Sequence, residues 1–235
     1  MRAMQDFTLL QEQLDYYRAR AAEYDEWWLR RGRYDRGPVL NGKWFAESAE
    51  VRSALAVLRP AGRVLELACG TGIWTEQLAP CASQLTAIDG SAEMLAINAA
   101  RVQAPGIRYI EADLFHWHPT VGNRYDTIFF GFWLSHVPSE RFSDFWRLVG
   151  SCLAPSGRVF FVDSRRQETS TAVDHTLPDP SATVLQRRLN DGRKFRVYKT
   201  FYHPVQLSEQ LQNLGWSADI KLTANYFLYG SATCQ

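Results

Sequence analysis

Arg63-Val64-Leu65-Glu66-Leu67-Ala68-Cys69-Gly70-Thr71-Gly72 is an apolar run that breaks into a glycine-spaced turn, and its reading decides the fold. Val64, Leu65 and Leu67 put apolar side chains on both faces, as a strand buried in a parallel sheet requires. The glycines follow at once, where the chain must turn, and a helix through about residue 78 completes the unit. Strand, turn and helix in that order begin an α/β fold.

Outward from this unit, strand-like and helix-like patterns alternate. Residues 84–88 read as a second strand ending at Asp89-Gly90, and Ser91 caps a helix through about residue 101. Residues 107–110 are a third strand, ending at Glu111-Ala112-Asp113-Leu114. Residues 125–130, almost wholly apolar, are a central fourth. A helix over 139–153 lies between Pro138 and Pro155, and residues 157–162 form a fifth strand ending at Asp163. Further on, 165–180 read as a polar surface excursion and 181–189 as a short helix. Asn190-Asp191-Gly192 is a turn, and 194–201 an extra strand. Residues 205–214 form a helix stopped by Gly215, and 218–222 with 226–232 close the sheet as an antiparallel pair. The expected architecture is α/β: a Rossmann-like, seven-stranded, mostly parallel sheet with an antiparallel last strand and helices on both faces. Residues 1–60, helical throughout, are expected as an N-terminal cap over the carboxyl edge of a single 61–235 domain.

Composition excludes several classes. With 235 residues, 46% apolar and 22% charged, the chain is ordinary globular material, neither disordered nor coiled coil. A net charge of +1 offers no general attraction to nucleic acid. No apolar run approaches the ~20 residues of a membrane span. The opening Met1-Arg2-Ala3-Met4-Gln5-Asp6 lacks the apolar core of a signal peptide. Cys69, Cys81, Cys152 and Cys234 show no paired spacing, which argues against a disulfide frame or zinc site. A cytoplasmic setting is expected. Eight Trp residues suit either core packing or an aromatic pocket around a cationic or planar ligand.

Ligands of open α/β sheets bind outside the carboxyl ends of the strands. Three groups fall there: the glycine turn, Asp89 after the second strand and Asp113 after the third. Glycine lets a ligand approach the backbone; a carboxylate at the second strand can accept both hydroxyls of a ribose; an acid at the third can accept from an adenine amine. A glycine pair alone would equally suit a dehydrogenase. Here Thr75 stands where the dinucleotide pattern wants its third small residue, which fits a cofactor without phosphate.

Val64 to Gly72 resembles motif I of the class I S-adenosylmethionine-dependent methyltransferases, with Ala68 in place of the usual first glycine. The resemblance implies S-adenosylmethionine as cofactor and S-adenosylhomocysteine as product. It implies Gly70 and Gly72 under the methionine moiety, Asp89 on the ribose, Asp113 and Leu114 on the adenine, and Phe130 and Gly131 beside the donor methyl. Glu66, Ala68, Trp74, Gly90 and Met94 join this cofactor set. Tyr17 and Tyr24, seven apart and so on one helical face, would close over it, although Tyr17 reads equally as packing. A narrower likeness spans nearly the whole chain. Tyr16-Tyr17-Arg18-Ala19-Arg20-Ala21, Asp89-Gly90-Ser91-Ala92-Glu93-Met94, Trp133-Leu134-Ser135-His136-Val137-Pro138 and Asp191-Gly192-Arg193 to Lys199 resemble the small bacterial phosphonate O-methyltransferases of dehydrophos biosynthesis. That likeness implies Arg187 and Lys199 on an anionic group and Tyr34 in a lid. The chain differs from the subgroup over 29–44, where an acceptor pocket is shaped.

The acceptor's chemistry sets what else is needed. An anionic oxygen needs cations to seat it; an alcohol or phenol benefits from a base. His136, just past a central strand, could be that base, a donor orienting an anion, or a helix-entry residue. His116 and His118 next to Pro119 lack further ligands for a metal, and His203 before Pro204 reads as structural. Arg187, Arg188, Arg193, Lys194, Arg196 and Lys199 crowd one turn, but strand alternation keeps them from meeting a single ligand, and a solvated hairpin is an equal reading. The expectation is a small-molecule O-methyltransferase with a phosphonate or carboxylate acceptor. Alternatives are a phenol or alcohol methyltransferase using His136, and a non-catalytic cofactor-binding protein. No Asn-Pro-Pro-Tyr-like run follows the fourth strand, which counts against a nucleic-acid substrate. A homodimer is possible if the N-terminal helix exchanges between subunits.

Overall fold

Alternation along the central strands sends successive apolar side chains to opposite faces, and the sheet is covered on both. The computed structural model describes residues 2–177 and 179–235, with the helical backbone alone for residues 2–7. Met1, and Pro178 in the expected excursion, lie outside the described residues. Strands β1 (Gly62–Leu67), β2 (Ala82–Asp89), β3 (Ile107–Glu111), β4 (Tyr125–Gly131) and β5 (Leu153–Ser164) are parallel. A hairpin, β6 (Val184–Arg188) and β7 (Lys194–Tyr198), stands apart from the sheet. Strands β8 (Trp216–Leu222) and β9 (Phe227–Cys234) complete seven strands in the order β3-β2-β1-β4-β5-β9-β8. Only β9 runs against the rest, because it is antiparallel to both β5 and β8. The strand order reverses between β1 and β4, the switch point where such sheets open a crevice.

Leu65, Leu67, Phe130, Val159 and Phe161 face α6 (Phe142–Cys152) and α7 (Pro204–Gln212). Val64, Leu85, Phe129, Phe160 and Val162 face α3 (Gly37–Leu58) and α4 (Thr75–Leu78). The helix α3 therefore lies on a sheet face, through Val51 and Leu55, and not over an edge. The helices α1 (Arg2–Arg20) and α2 (Tyr24–Trp28) reach the carboxyl end, and α5 (Ala92–Val102) is capped by Ser91, whose hydroxyl accepts the Met94 amide at 3.1 Å. No described helix is long and apolar enough to cross a membrane.

Three local expectations are corrected. Residues 181–189 are not a helix: Leu185 and Leu189, four apart, satisfy helical spacing and strand alternation alike. The hairpin wins because both leucines, with Val197, pack on Tyr16 of α1. The helix expected over 139–153 begins only at Phe142, after a short 3-10 turn, and Leu153 already pairs with Tyr125. The excursion after residue 165 is not all surface, since Ser170, Thr171 and Ala172 are buried.

Trp146 is fully buried against Phe130, Phe161 and Trp216. Trp146→Ala should lower unfolding free energy by about 3–5 kcal/mol in denaturant titration. A change within about 0.5 kcal/mol, typical of a surface site, would contradict this packing.

Candidate active site

The turn after β1 is built on left-handed backbone: Ala68, Gly70 and Gly72 have φ of 53°, 53° and 92°. Gly72 admits no other side chain, because a Cβ would fall 2.7 Å from Asn98 Oδ1. The Gly70 amide donates to Asp89 Oδ2 at 2.8 Å, and the Ser91 amide to Oδ1 at 3.0 Å. Burial nevertheless lifts the Asp89 carboxyl to about 6. Beneath the turn, Asn98 donates to Gly70 O and Thr75 Oγ1, and Thr75 donates to Glu66 Oε2 at 2.7 Å. Thr75, the residue that breaks the dinucleotide pattern, thus satisfies a buried acid. Burial, with the charge of Asp89 adding to it, raises Glu66 to about 8. From outside, Thr71 donates to Asp25 Oδ1 at 2.6 Å and Arg101 pairs with the same carboxylate, which fastens α2 to the turn.

A cleft of about 740 Å³ opens over this turn. Of the residues expected around the cofactor, Tyr17, Tyr24, Ala68, Gly70, Asp89, Gly90, Met94, Asp113, Leu114 and Gly131 line it. Four do not. Glu66 and Gly72 lie beneath the turn, and Trp74 packs under Gly131 on the α3 side. Phe130 is fully buried against Phe145 and Trp146. Its place is taken by Phe132, whose φ of 57° turns the ring to the opposite face of the sheet, among Trp27, Trp28 and Phe227. Such a conformation is costly for a bulky residue and marks a constrained site. Also missed were Leu10, Gln13 and Leu14 of α1; with Tyr17 they make an i, i+3, i+4, i+7 stripe that could have been read. Asp113 Oδ2 lies 2.6 Å from His116 Nδ1, while His118 is exposed.

A second chamber of about 590 Å³ adjoins the first and shares Tyr17, Tyr24, Phe132 and His136 with it. Tyr34, His136, Arg187 and Lys199, the four acceptor candidates, all line this chamber. Arg20, Tyr16, Trp27 and Phe201 were not foreseen. His136 Nδ1 lies 2.5 Å from the Tyr198 carbonyl, which can only accept, so Nε2 accepts the Tyr17 hydroxyl at 2.7 Å. Burial and the Lys199 charge hold the imidazole well below its ordinary pKa, hence neutral. Gln13 braces the group, donating to His136 O and accepting the Tyr198 amide. Lys199 is buried and already engaged, by Ser135 Oγ at 2.6 Å and Asp163 Oδ1 at 3.1 Å. Among the described residues Arg187 meets only His175, at 3.3 Å, which burial and Arg187 itself lower to about 4. Of the remaining hairpin cations, Arg188 pairs with Asp174, Arg193 with Asp191 and Arg196 with Glu12 on the surface, and Lys194 is exposed. Most of the Trp residues are core, whereas Trp27 and Trp133 line the chambers.

Residues 64–157 match the Methyltransferase domain family. Two solved structures of DhpI, one with SAH and one with SAM and HEP, superpose with a TM-score of 0.78 each. They are 37% and 38% identical, covering 96% of this chain and 97% of theirs. The ubiquinone biosynthesis O-methyltransferase of Xanthomonas axonopodis pv. citri (strain 306) is 27% identical over 87% of this chain and 80% of its own. The trans-aconitate 2-methyltransferase of Acidovorax sp. (strain JS42) is 37% identical over 53% of this chain and 48% of its own.

Ala68 carries a Cβ in left-handed backbone, where glycine is at ease. Ala68→Gly should raise unfolding free energy by roughly 0.5–1 kcal/mol, the relieved strain less the added chain entropy. Thermal denaturation checks this; a lower midpoint would mean that the Ala68 methyl contributes packing that outweighs its strain.

Proposed function

The chain belongs to the class I S-adenosylmethionine-dependent methyltransferases, and from that premise we propose that it O-methylates a small acidic acceptor seated in the second chamber. Its cofactor is S-adenosylmethionine, and S-adenosylhomocysteine the product. The first chamber suits that cofactor. A Cβ at Gly70 would meet nothing within 4 Å, so backbone is open to a ligand, and Asp89 presents a half-buried carboxylate at the cleft wall. S-adenosylmethionine supplies a methyl group on a positively charged sulfur. In this reading Asp89 receives the ribose hydroxyls, Asp113 and Leu114 the adenine, and α1 covers the cleft through Leu10, Leu14 and Tyr17.

The observation that carries the acidic acceptor is Arg187, lining the neighbouring chamber with no carboxylate partner among the described residues. An anionic acceptor oxygen attacks the methyl carbon as the carbon–sulfur bond breaks; the bonding pair goes to sulfur, and no proton moves. Such a reaction needs positioning more than acid–base chemistry. His136 suits this, because both ring nitrogens are committed to Tyr198 and Tyr17 and its role is to hold Tyr17 between the chambers. The names of the relatives agree: one is an O-methyltransferase and another acts on trans-aconitate, an acid. The phenol or alcohol alternative loses its base.

Four free thiols suit a reducing, cytoplasmic compartment. Because α1 already packs on its own β7, through Tyr16 and Val197, helix exchange in a dimer is not needed to complete the site.

Two measurements follow. With saturating cofactor and an acidic acceptor, kcat should show no histidine titration between about pH 6 and 8, since His136 stays neutral throughout. Arg187→Ala should raise the acceptor KM about 10–100-fold, the worth of a hydrogen bond to a charged group. A rate rising with a midpoint near the ordinary histidine value, with KM untouched by Arg187→Ala, would overturn the acidic acceptor.

Asp89 gives an independent test. Its folded carboxyl titrates near 6, above the usual 3.8, so ribose-accepting carboxylate is present above pH 6 and is lost as pH falls through it. Affinity for S-adenosylhomocysteine by calorimetry should weaken below about pH 6, and Asp89→Asn should be weak at every pH. An affinity flat from pH 5 to 8 would remove Asp89 from the site.

A further inference from the structure

Arg20 is the last residue of α1 and is 8% exposed, yet among the described residues it makes no ion pair. Its Nε has no hydrogen-bond partner there, and Nη2 reaches only the Tyr34 hydroxyl, at 3.3 Å. Its guanidinium carbon lies 4.7, 5.6 and 5.9 Å from the ring centres of Tyr24, Tyr16 and Tyr34. Three rings offset part of the desolvation of a cation, but they do not supply the missing charge.

Several other buried or half-buried cations among the described residues are matched by a carboxylate. Lys199 has Asp163, Arg101 has Asp25, and Arg33 has Glu23 and Asp174. Arg30, also buried, is spent on the carbonyls of Thr169 and Ser170. Arg20 has no carboxylate partner among the described residues, and unlike Arg30, Arg36 and Arg52 it lines the second chamber, together with Arg187. Lys199 and Asp163 cancel there, His136 and His175 are neutral, and burial pushes the hydroxyls of Tyr16, Tyr17 and Tyr24 up, away from ionising. Two positive charges remain, and both belong to arginines.

Resting on the acidic-acceptor reading above, we propose that Arg20 is a specificity-determining residue: its guanidinium, with that of Arg187, receives an oxyanion of the acceptor, while Lys199 positions Ser135 and Asp163. Arginine suits this task because its planar fork can donate two parallel bonds to one oxyanion. The tyrosine cage fixes the fork before the ligand arrives, so little side-chain entropy is lost on binding. Product release follows from the same arrangement. Methylation of an oxygen removes one negative charge, so the ester is matched to the two arginines less well than the acid was.

The test uses the full-length protein saturated with S-adenosylhomocysteine, and inorganic phosphate as the probe, titrated by calorimetry. Phosphate should bind the unaltered protein and raise its thermal midpoint. Arg20→Gln should weaken phosphate at least about tenfold and abolish that midpoint rise, with S-adenosylhomocysteine affinity within about twofold. Arg20→Lys, which keeps the charge and loses the fork, should fold normally and show an intermediate loss. Full phosphate affinity in either variant, with a loss confined to Arg187→Gln, would overturn the role of Arg20 and leave the acidic acceptor standing. A loss confined to S-adenosylhomocysteine would assign Arg20 to the cofactor and equally overturn the proposal. No phosphate binding by the unaltered protein would sink the acidic-acceptor reading itself.

Discussion

One half-buried carboxylate, Asp89, ties the cleft end of the molecule together. It receives amides from two neighbouring elements, Gly70 in the turn after β1 and Ser91 at the start of α5. Those bonds fix the ends of β1 and β2 against each other, on one side of the crevice that opens at the switch point between β1 and β4. The surrounding buried network is spent on keeping the turn in left-handed backbone: Glu66, Thr75 and Asn98 hold it from below, and Asp25 and Arg101 from outside. A carboxylate raised by burial is then a receptive partner for hydroxyls that arrive with a ligand.

The second consequence is a division of labour at the carboxyl edge. Tyr17, Tyr24, Phe132 and His136 stand between a mixed polar and apolar chamber and a cationic one. His136 is the keystone of that wall, with one nitrogen on the β7 backbone and the other on Tyr17, while Gln13 braces both from α1. A histidine bound on both sides is a poor base and a good strut. The charges in the cationic chamber follow the same economy, since Asp163 consumes Lys199 and leaves Arg20 and Arg187 without a carboxylate among the described residues.

Much of this was legible from spacing. The strand ends, the glycine turn, Asp89 and Asp113 follow from apolar periodicity and from where open sheets bind ligands. Ser91 at its cap was equally plain. The errors share a cause: local patterns that admit two periods or that depend on one dihedral. Leu185 and Leu189 fit a helix as well as a strand, and only Tyr16 across the gap decides. Phe130, which the resemblance implies beside the methyl, is buried in the sheet, and the chain turns left-handed at Phe132 so that this ring lines the cleft. Lys199, which the resemblance implies on an anionic group, is already paired with Asp163 of β5. Arg20 could not be read at all, because its meaning lies in the carboxylate it lacks among the described residues.

The division of the edge into a cofactor chamber and an anion chamber is tested most directly by a crystal structure grown with S-adenosylhomocysteine and inorganic phosphate together. The ribose should rest on Asp89 in one chamber, and phosphate should lie within hydrogen-bond distance of Arg187 in the other, across Tyr17 from the sulfur. A ribose held away from Asp89, or phosphate found only outside the second chamber, would contradict it.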